Sequence, residues 1–435
     1  MNHSAATPPL PRALPWPRIT SGLRSEVGLA RLGLAAVALH VADDNLLQPN
    51  AGMSPADHLV GGLLPLALLA AAAVFCGRLR AGARATIALA VGMMGVLAAI
   101  EAVYYAKEAG PSGDDYTGLL SIPAAFLLIG LGVTTLWRSR RRDDALWWRY
   151  GRRLLLAAGM AIAAFVFGQA VGVSYVVTHV ARGYVPTAEL GVPYENVEFE
   201  SSDGLRLKGW YIPSRNGAAV IAFAGRADTQ LRARMLARHG YGVLLFDRRG
   251  EGESEGDPNL FGWEGHRDVH GAVAFLQRRA DVDPQRIGAI GLSVGGEMLI
   301  EAAAESTALK AIISEGASGR SVRDTLANPG TQWQSAIGMG VATVATALFT
   351  DNVPPPTLRS LVPKIAPRAV FFIYGERGQV EEKPANTGFY ELARGPKEIW
   401  EVPGADHMNG AQAQPREYER RIVAFFDRAL LQAAP

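Results

Sequence analysis

Five long apolar segments lie within the first 180 or so residues of this 435-residue chain, and they constrain its fold more than any other feature. An α-helix needs about 20 apolar residues to cross roughly 30 Å of hydrocarbon. The first segment carries Arg31 and His40, and the third includes Glu101, but all five remain candidates. The sequence therefore predicts a transmembrane helical bundle over residues 27–182, with spans at about 27–42, 58–76, 85–105, 116–137 and 154–178.

Basic and acidic residues alternate between the loops that join these segments. Arg24 precedes the first segment, Arg80 lies in the second loop and Arg141 lies in the fourth loop. The first and third loops are acidic. Cytoplasmic loops carry an excess of Lys and Arg. We therefore expect an integral protein of a bacterial-type plasma membrane, with a cytoplasmic tail at 1–26 and everything after Arg182 on the extracytoplasmic side.

Composition supports this division and limits the choice of partner. Only 19% of the residues are charged, against roughly 25% in ordinary soluble domains. The net charge is +2, and no basic run lies outside the membrane flanks, so nothing favours nucleic acid. The single cysteine, Cys76, excludes an internal disulfide framework and a Cys-rich metal site. We expect a lipid bilayer as partner, and no metal or cofactor.

Beyond residue 184 the pattern changes to short β-rich runs that alternate with amphipathic helical stretches. This alternation is typical of a mainly parallel sheet flanked by helices. The runs 195–199 and 205–212 have no helix between them, which predicts an antiparallel hairpin at the sheet edge. Residues 184–434 are expected to form one α/β domain, with a cap insertion at about 317–367.

The α/β region contains a Gly-x-Ser-x-Gly pattern at Gly291–Gly295, between a predicted strand and a predicted helix. This context is typical of a nucleophile elbow, a tight turn that exposes the serine hydroxyl at a helix N-terminus. A second copy at Gly252–Gly256 is followed by Asp257-Pro258 rather than by a helix. We therefore predict Ser293 as the nucleophile and interpret Ser254 as a loop serine.

The general base is predicted from chain order. The elbow architecture orders its triad as Ser, acid and His, and only His407 among the eight histidines follows Ser293. His407 also comes directly after the predicted last strand, 398–402. We therefore predict that His407 accepts the serine proton.

The acid is less clearly indicated. It should follow the predicted strand 369–374 in a Gly-x-x-Asp pattern, but the chain has Gly378 in the aspartate position. A glutamate is one methylene longer and can orient an imidazole from a displaced backbone position. The predicted acids are Glu381 and Glu382, with Glu376 and Asp351 as alternatives.

The oxyanion hole of a serine hydrolase needs two backbone N–H donors. One belongs to the residue after the nucleophile, which is Val294. The other lies in the loop after the third strand, where Gly225 allows the backbone to turn, and is predicted at Arg226.

Together these stretches resemble the α/β-hydrolase superfamily, and within it the dienelactone-hydrolase and prolyl-oligopeptidase-like serine hydrolases. The resemblance covers about residues 184–434 and rests on 218–226, 246–254, 283–288, 291–296 and 404–407. It implies hydrolysis of an ester, thioester or amide of a small-molecule or lipid-like substrate through an acyl-enzyme. The competing hypothesis is a catalytically inactive hydrolase-fold membrane sensor or binding protein.

Overall fold

The computed structural model describes residues 25–109, 113, 115–138, 182–328 and 333–432, and within 151–180 it describes 167–180 continuously with a few isolated positions. The predicted tail up to residue 24 and the basic loop 139–150 lie outside the described residues. The N-terminal helices are α1 (Glu26–Ala42), α2 (Leu59–Phe75), α3 (Ala81–Ala109), α4 (Asp115–Arg138) and α5 (Gln169–Tyr175).

Three of the five predicted spans are long and apolar enough to cross a membrane among the described residues, namely Pro55–Arg78, Ala81–Lys107 and Asp115–Arg138. The first and fifth predicted spans stay predictions. The first segment forms α1, which has 17 residues and spans only about 26 Å at 1.5 Å per residue. The fifth, 154–178, is described only in part, ending in α5 and the wider turn Val176–Val180.

The C-terminal region contains one eight-stranded sheet in the order β1-β2-β4-β3-β5-β6-β7-β8. The first pairs, β1 with β2 and β2 with β4, are antiparallel and all the others are parallel, so the predicted edge hairpin is confirmed. The strands are β1 (Glu195–Glu200), β2 (Arg206–Ile212), β3 (Ala219–Phe223), β4 (Gly242–Phe246), β5 (Ile287–Leu292), β6 (Ala311–Glu315), β7 (Ala369–Gly375) and β8 (Lys397–Val402).

Helices cover both faces of this sheet. They are α6 (Arg226–Arg238), α7 (His266–Gln277), α8 (Val294–Glu305), α9 (Val322–Ala327), α10 (Trp333–Thr350), α11 (Leu358–Leu361), α12 (Glu382–Leu392), α13 (Gly410–Ala413) and α14 (Pro415–Phe426). Alternate strand residues point to opposite faces. Ile221 therefore joins the core under α7, α8 and α12, whereas its neighbours Val220 and Ala222 join the core under α6 and α14. This is the three-layer α/β-hydrolase fold that the sequence predicts.

The two regions of the chain contact each other at the start of α2 and in the loop that precedes it. Asp351, just after α10, accepts hydrogen bonds from the N–H groups of Val60 and Gly61 at 2.6 and 2.5 Å. Asn50, in the loop between α1 and α2, donates from Nδ2 to Asp257 Oδ1 at 3.0 Å. Helix α10, which lies in the predicted cap insertion, packs along α5. The cap therefore lies between the apolar helices and the sheet.

Candidate active site

Ser293 lies at the sharp turn between β5 and α8, at the carboxyl edge of the sheet. Its backbone has φ +51°, a conformation that non-glycine residues rarely adopt. The glycines on either side are required by close packing, because a Cβ at Gly291 would lie 2.5 Å from the Gly295 carbonyl oxygen, and one at Gly295 would lie 2.6 Å from the Ala224 nitrogen. The Gly-x-Ser-x-Gly sequence thus allows helix and strands to pack closely around a partly exposed hydroxyl.

His407 lies in the loop after β8, and its Nε2 is 3.0 Å from Ser293 Oγ. The imidazole packs against Gly316, which follows β6 with φ +78°, at 3.2 Å from the position where a Cβ would be. The loop itself is held by Arg377, whose backbone N–H donates to the Ala405 carbonyl at 2.9 Å. The structure therefore brings the predicted nucleophile and base within hydrogen-bonding distance.

Glu382, the first residue of α12, completes this group. Its buried carboxylate contacts His407 Nδ1 and also accepts a hydrogen bond from the Gln379 N–H at 2.8 Å. A negative charge is favoured at a helix N-terminus, where the helix dipole is positive. When Nδ1–H donates a hydrogen bond to Glu382, Nε2 is unprotonated and can accept the proton of Ser293.

Gly378 explains how a glutamate replaces the expected aspartate. A Cβ at this position would overlap Glu382 Oε2 and would lie 2.7 Å from its Cδ. The carboxylate of Glu382 therefore fills the space that a side chain at 378 would occupy. Glycine at 378 and glutamate four residues later are therefore two parts of one arrangement.

The other predicted carboxylates have different surroundings. Glu381 is exposed on the surface, so the pair proposed from the sequence is reduced to Glu382. Glu376 accepts a hydrogen bond from the Gly404 N–H at 2.7 Å and so holds the backbone of the histidine loop. Asp351 caps the start of α2, away from the imidazole.

The two predicted oxyanion donors have different positions. Val294 is the first residue of α8, so its N–H has no partner within the helix and lies beside Ser293. The prediction for Arg226 is corrected, because its N–H donates to Asp247 Oδ1 at 3.3 Å and its guanidinium forms a buried ion pair with the same carboxylate. Arg226 thus fastens the start of α6 to the end of β4.

Ser254, in the second Gly-x-Ser-x-Gly copy, is fully buried. Its Oγ donates to the Asp247 carbonyl at 2.6 Å and accepts from the Lys208 N–H at 3.0 Å. Both hydrogen-bonding functions of the hydroxyl are used within the fold.

Ser293 opens into a cavity of about 330 Å³. This size lies within the range of roughly 300–1,000 Å³ typical of small-molecule sites. Ser293 and Val294 are predicted site residues in its lining, and the apolar stretch 335–349 of the cap insertion was one candidate for an acyl pocket. That stretch contributes Met339, Ala342, Thr343 and Thr346. The lining that sequence reasoning missed comprises Val177, Leu260, Phe261, Trp263, Glu297, Ser318, Gly319, Arg320 and Gln379.

Glu297 is the one buried carboxylate in this lining. It accepts hydrogen bonds from the Ser318 and Gly319 N–H groups at 3.3 and 3.1 Å. Burial raises the pKa of Glu297 above its ordinary value, and nearby Arg320 opposes the shift. The sequence signal for this position was a charged residue one turn after the nucleophile, in a stretch that is otherwise uncharged from Val294 to Ile300.

Among the described residues, one group of side chains is of the kind that can bind a metal ion. It consists of His266, Glu301 and Glu305, whose ligand atoms lie within 4.8 Å of one another. Glu301 already accepts from Arg320 at 2.6 Å, and Glu305 lies 3.1 Å from His270 Nε2. These contacts account for the cluster as ion pairs between α7, α8 and the loop after β6.

Comparisons with known proteins cover the α/β region. Residues 182–370 match the family model described as X-Pro dipeptidyl-peptidase (S15 family). The uncharacterized protein YfhR of Escherichia coli K12 is 27% identical over 249 residues, which are 54% of this chain and 81% of YfhR. The thiohydrolase aneE of Aspergillus aculeatus is 36% identical over 129 residues, covering 28% of this chain and 41% of its own.

Among solved structures, the esterase Pf2001 of Pyrococcus furiosus aligns with a TM-score of 0.47 and 23% identity, over 57% of this chain and 96% of its own. The family match at 182–370 includes strands β1 to β6 and the turn at Ser293, and it ends before Glu382 and His407. The C-terminal half of the chain therefore has the α/β-hydrolase fold, and residues 182–370 are similar to the peptidase S15 family, which indicates a hydrolase.

Proposed function

We propose that this protein is a membrane-anchored serine hydrolase that cleaves an ester, thioester or amide through Ser293, His407 and Glu382. The observation that carries the proposal is the continuous contact from Ser293 Oγ to His407 and from His407 to the buried Glu382. The match to a dipeptidyl-peptidase family supports amide chemistry, and the thiohydrolase relative supports thioesters.

The proposed reaction has two steps. His407 Nε2 accepts the proton of Ser293 as Oγ attacks the acyl carbon, and the Val294 N–H stabilises the developing oxyanion. The bond to the leaving group then breaks, and His407 gives that group its proton. In the second step His407 activates a water molecule, which releases the acid and restores Ser293.

The competing hypothesis of an inactive sensor rested on the missing aspartate at 378. Glu382 beside His407 supplies a carboxylate by another route. This removes the main argument for an inactive fold, so we retain the enzyme as the proposed function.

We further propose that the hydrolase domain is extracytoplasmic. It contacts the N-terminal end of α2 through Asp351 and the loop before α2 through Asp257, which accepts a hydrogen bond from Asn50. Arg78 and Arg80 follow the other end of α2, and Arg138 is the last residue of α4. Because basic flanks favour the cytoplasm, the domain is expected on the opposite side of a bacterial-type plasma membrane.

A fluorophosphonate probe tests the activity and the sidedness together. We expect wild-type protein in membranes to be labelled, Ser293→Ala to remain unlabelled and Ser254→Ala to be labelled as wild type. An impermeant probe should label intact cells. Folded wild-type protein without label would contradict the enzyme, and labelling only after lysis would contradict the topology.

A further inference from the structure

Helix α10 carries apolar side chains on two opposite faces. At 3.6 residues per turn, one face presents the exposed residues Trp333, Ile337, Val344 and Leu348. Their exposed fractions are 66, 40, 60 and 40%. The opposite face lines the cavity at Ser293 with Met339, Ala342, Thr343 and Thr346. A helix that is apolar all round is buried in protein or lies in a membrane.

The outer face of α10 continues toward the apolar helices. The chain leaves α10 at Asp351, which binds the first N–H groups of α2. At that point α2 also exposes large apolar side chains, including Leu59 and Leu63 at 50% each. Helix α2 begins one of the three candidate spans. The surface next to the outer face of α10 is therefore suited to contact with hydrocarbon.

The inner face of α10 forms a wall of the catalytic cavity together with Val177. This residue belongs to the fifth apolar segment, and its carbonyl accepts from the Leu260 N–H at 3.2 Å. The Ser174 hydroxyl of α5 donates to the Ala342 carbonyl of α10 at 3.2 Å. The cavity is thus enclosed by the sheet domain on one side and by elements joined to the apolar region on the other.

We propose that α10 lies at the bilayer surface between lipid and active site, and that the substrate is an ester with a single long acyl chain drawn from the membrane. The outer face contacts lipid, and the chain binds along the inner face with its carbonyl at Ser293. Glu297, Arg320 and Gln379 provide the polar part of the cavity for the head of the substrate. This inference rests on the proposed serine hydrolase function.

Acyl selectivity is the first test. Full-length protein in phosphatidylcholine vesicles is assayed with p-nitrophenyl esters of two, four, eight and sixteen carbons. Each buried methylene contributes about 0.8 kcal/mol, which corresponds to about fourfold. We expect kcat/KM to rise by up to that factor per methylene until the cavity is filled, so that long esters are preferred.

Two neighbouring substitutions provide a matched pair. Thr343→Trp fills the inner face, and the ratio of long-ester to short-ester kcat/KM should fall at least tenfold. Val344→Trp places the same side chain on the outer face and should leave this ratio within twofold. Met339→Trp, one turn earlier on the inner face, repeats the test if Thr343→Trp misfolds, which loss of fluorophosphonate labelling would reveal.

The two proposals fail in different ways. Protein that is labelled at Ser293 and cleaves short esters, but has no preference for long chains, overturns the lipid substrate and leaves the hydrolase intact. Protein that is neither labelled nor active on any ester overturns both. Equal loss of short-ester and long-ester activity in Thr343→Trp also overturns the acyl-binding wall.

The position of α10 is tested with a fluorophore on a single cysteine. In a Cys76→Ala background, a polarity-sensitive dye on Val344→Cys should be quenched by lipid-borne quenchers, and a dye on Glu391→Cys, an exposed position of α12, should not. Absence of quenching at 344 overturns the contact with lipid. Disulfide crosslinking between two copies of the unlabelled Val344→Cys variant would assign the outer face to a second chain and overturn it equally.

Discussion

The two Gly-x-Ser-x-Gly turns of the hydrolase domain have the same sequence pattern and different structures. The turn at Ser293 joins a strand to a helix, has positive φ at the serine and leaves the hydroxyl partly exposed beside His407. The turn at Ser254 is a loop in which the hydroxyl is buried and bonded to two backbone groups. The chemistry of the pattern therefore depends on the elements that flank it.

The largest effect on activity is expected at the turn around Ser293. Ser293→Ala removes the nucleophile and should lower kcat/KM by about 10⁴–10⁶-fold on a model ester. The thermal midpoint should not fall, because alanine occupies the same small space. Residual activity above about one per cent of wild type would contradict the assignment of Ser293.

The second largest loss of activity is expected for the acid, Glu382. Glu382→Gln retains the shape but removes the charge that stabilises the imidazolium, and kcat should fall about 10²–10⁴-fold. Glu381→Gln is the matched control, since its side chain is exposed, and should stay within twofold. Steady-state kinetics of both variants decides between the two neighbours, and similar losses would disprove the choice of Glu382.

Gly378 sharpens the same comparison. A Cβ at this position would press on the Glu382 carboxylate, so Gly378→Ala should lower kcat about tenfold. Gly378→Asp combined with Glu382→Ala places the carboxylate at residue 378, the aspartate position of the Gly-x-x-Asp pattern. That double variant should be about tenfold more active than Glu382→Ala alone. Equal rates would show that a carboxylate at 378 cannot replace the one at 382.

A substitution at the turn around Ser254 should lower stability rather than activity. Ser254→Ala leaves the Asp247 carbonyl and the Lys208 N–H without their partner, which costs about 1–3 kcal/mol in the free energy of unfolding. Activity of the folded protein should remain within twofold. Denaturant unfolding together with ester hydrolysis would test both statements, and a selective loss of activity would overturn the contrast with Ser293.

The smallest effect is a pH dependence. Arg249, in the loop that precedes Ser254, pairs with Asp203 at 2.9 Å. Burial alone would raise the pKa of Asp203, but the hydrogen bonds and charge of Arg249 lower it to about 2. The resulting stability is present above the unfolded pKa of about 3.9 and is lost as the pH falls toward 2.

Asp203→Asn should therefore lose about 1 kcal/mol or less at neutral pH, since the site is partly exposed to water. Its free energy of unfolding should also change less than that of wild type between about pH 4 and pH 2. Denaturant titrations at several pH values provide the measurement, and parallel curves for both proteins would disprove the linkage.

Local patterns predicted much of this structure. Strand alternation, the edge hairpin, the elbow around Ser293 and the position of His407 follow from short-range sequence signals and chain order. The membrane region was less predictable, because apolar length alone could not separate α1, with 17 residues, from longer spans such as Asp115–Arg138.

The sequence by itself determined the division into an apolar and an α/β region, the serine that a strand and a helix present, and the histidine that follows it. Only the tertiary structure decided which glutamate reaches His407, since the choice depends on the space left empty at Gly378. It also showed that Asp247 binds the Arg226 N–H and that α10 lines the cavity. These outcomes depend on contacts between residues distant in the chain, and such contacts are set by packing rather than by local pattern.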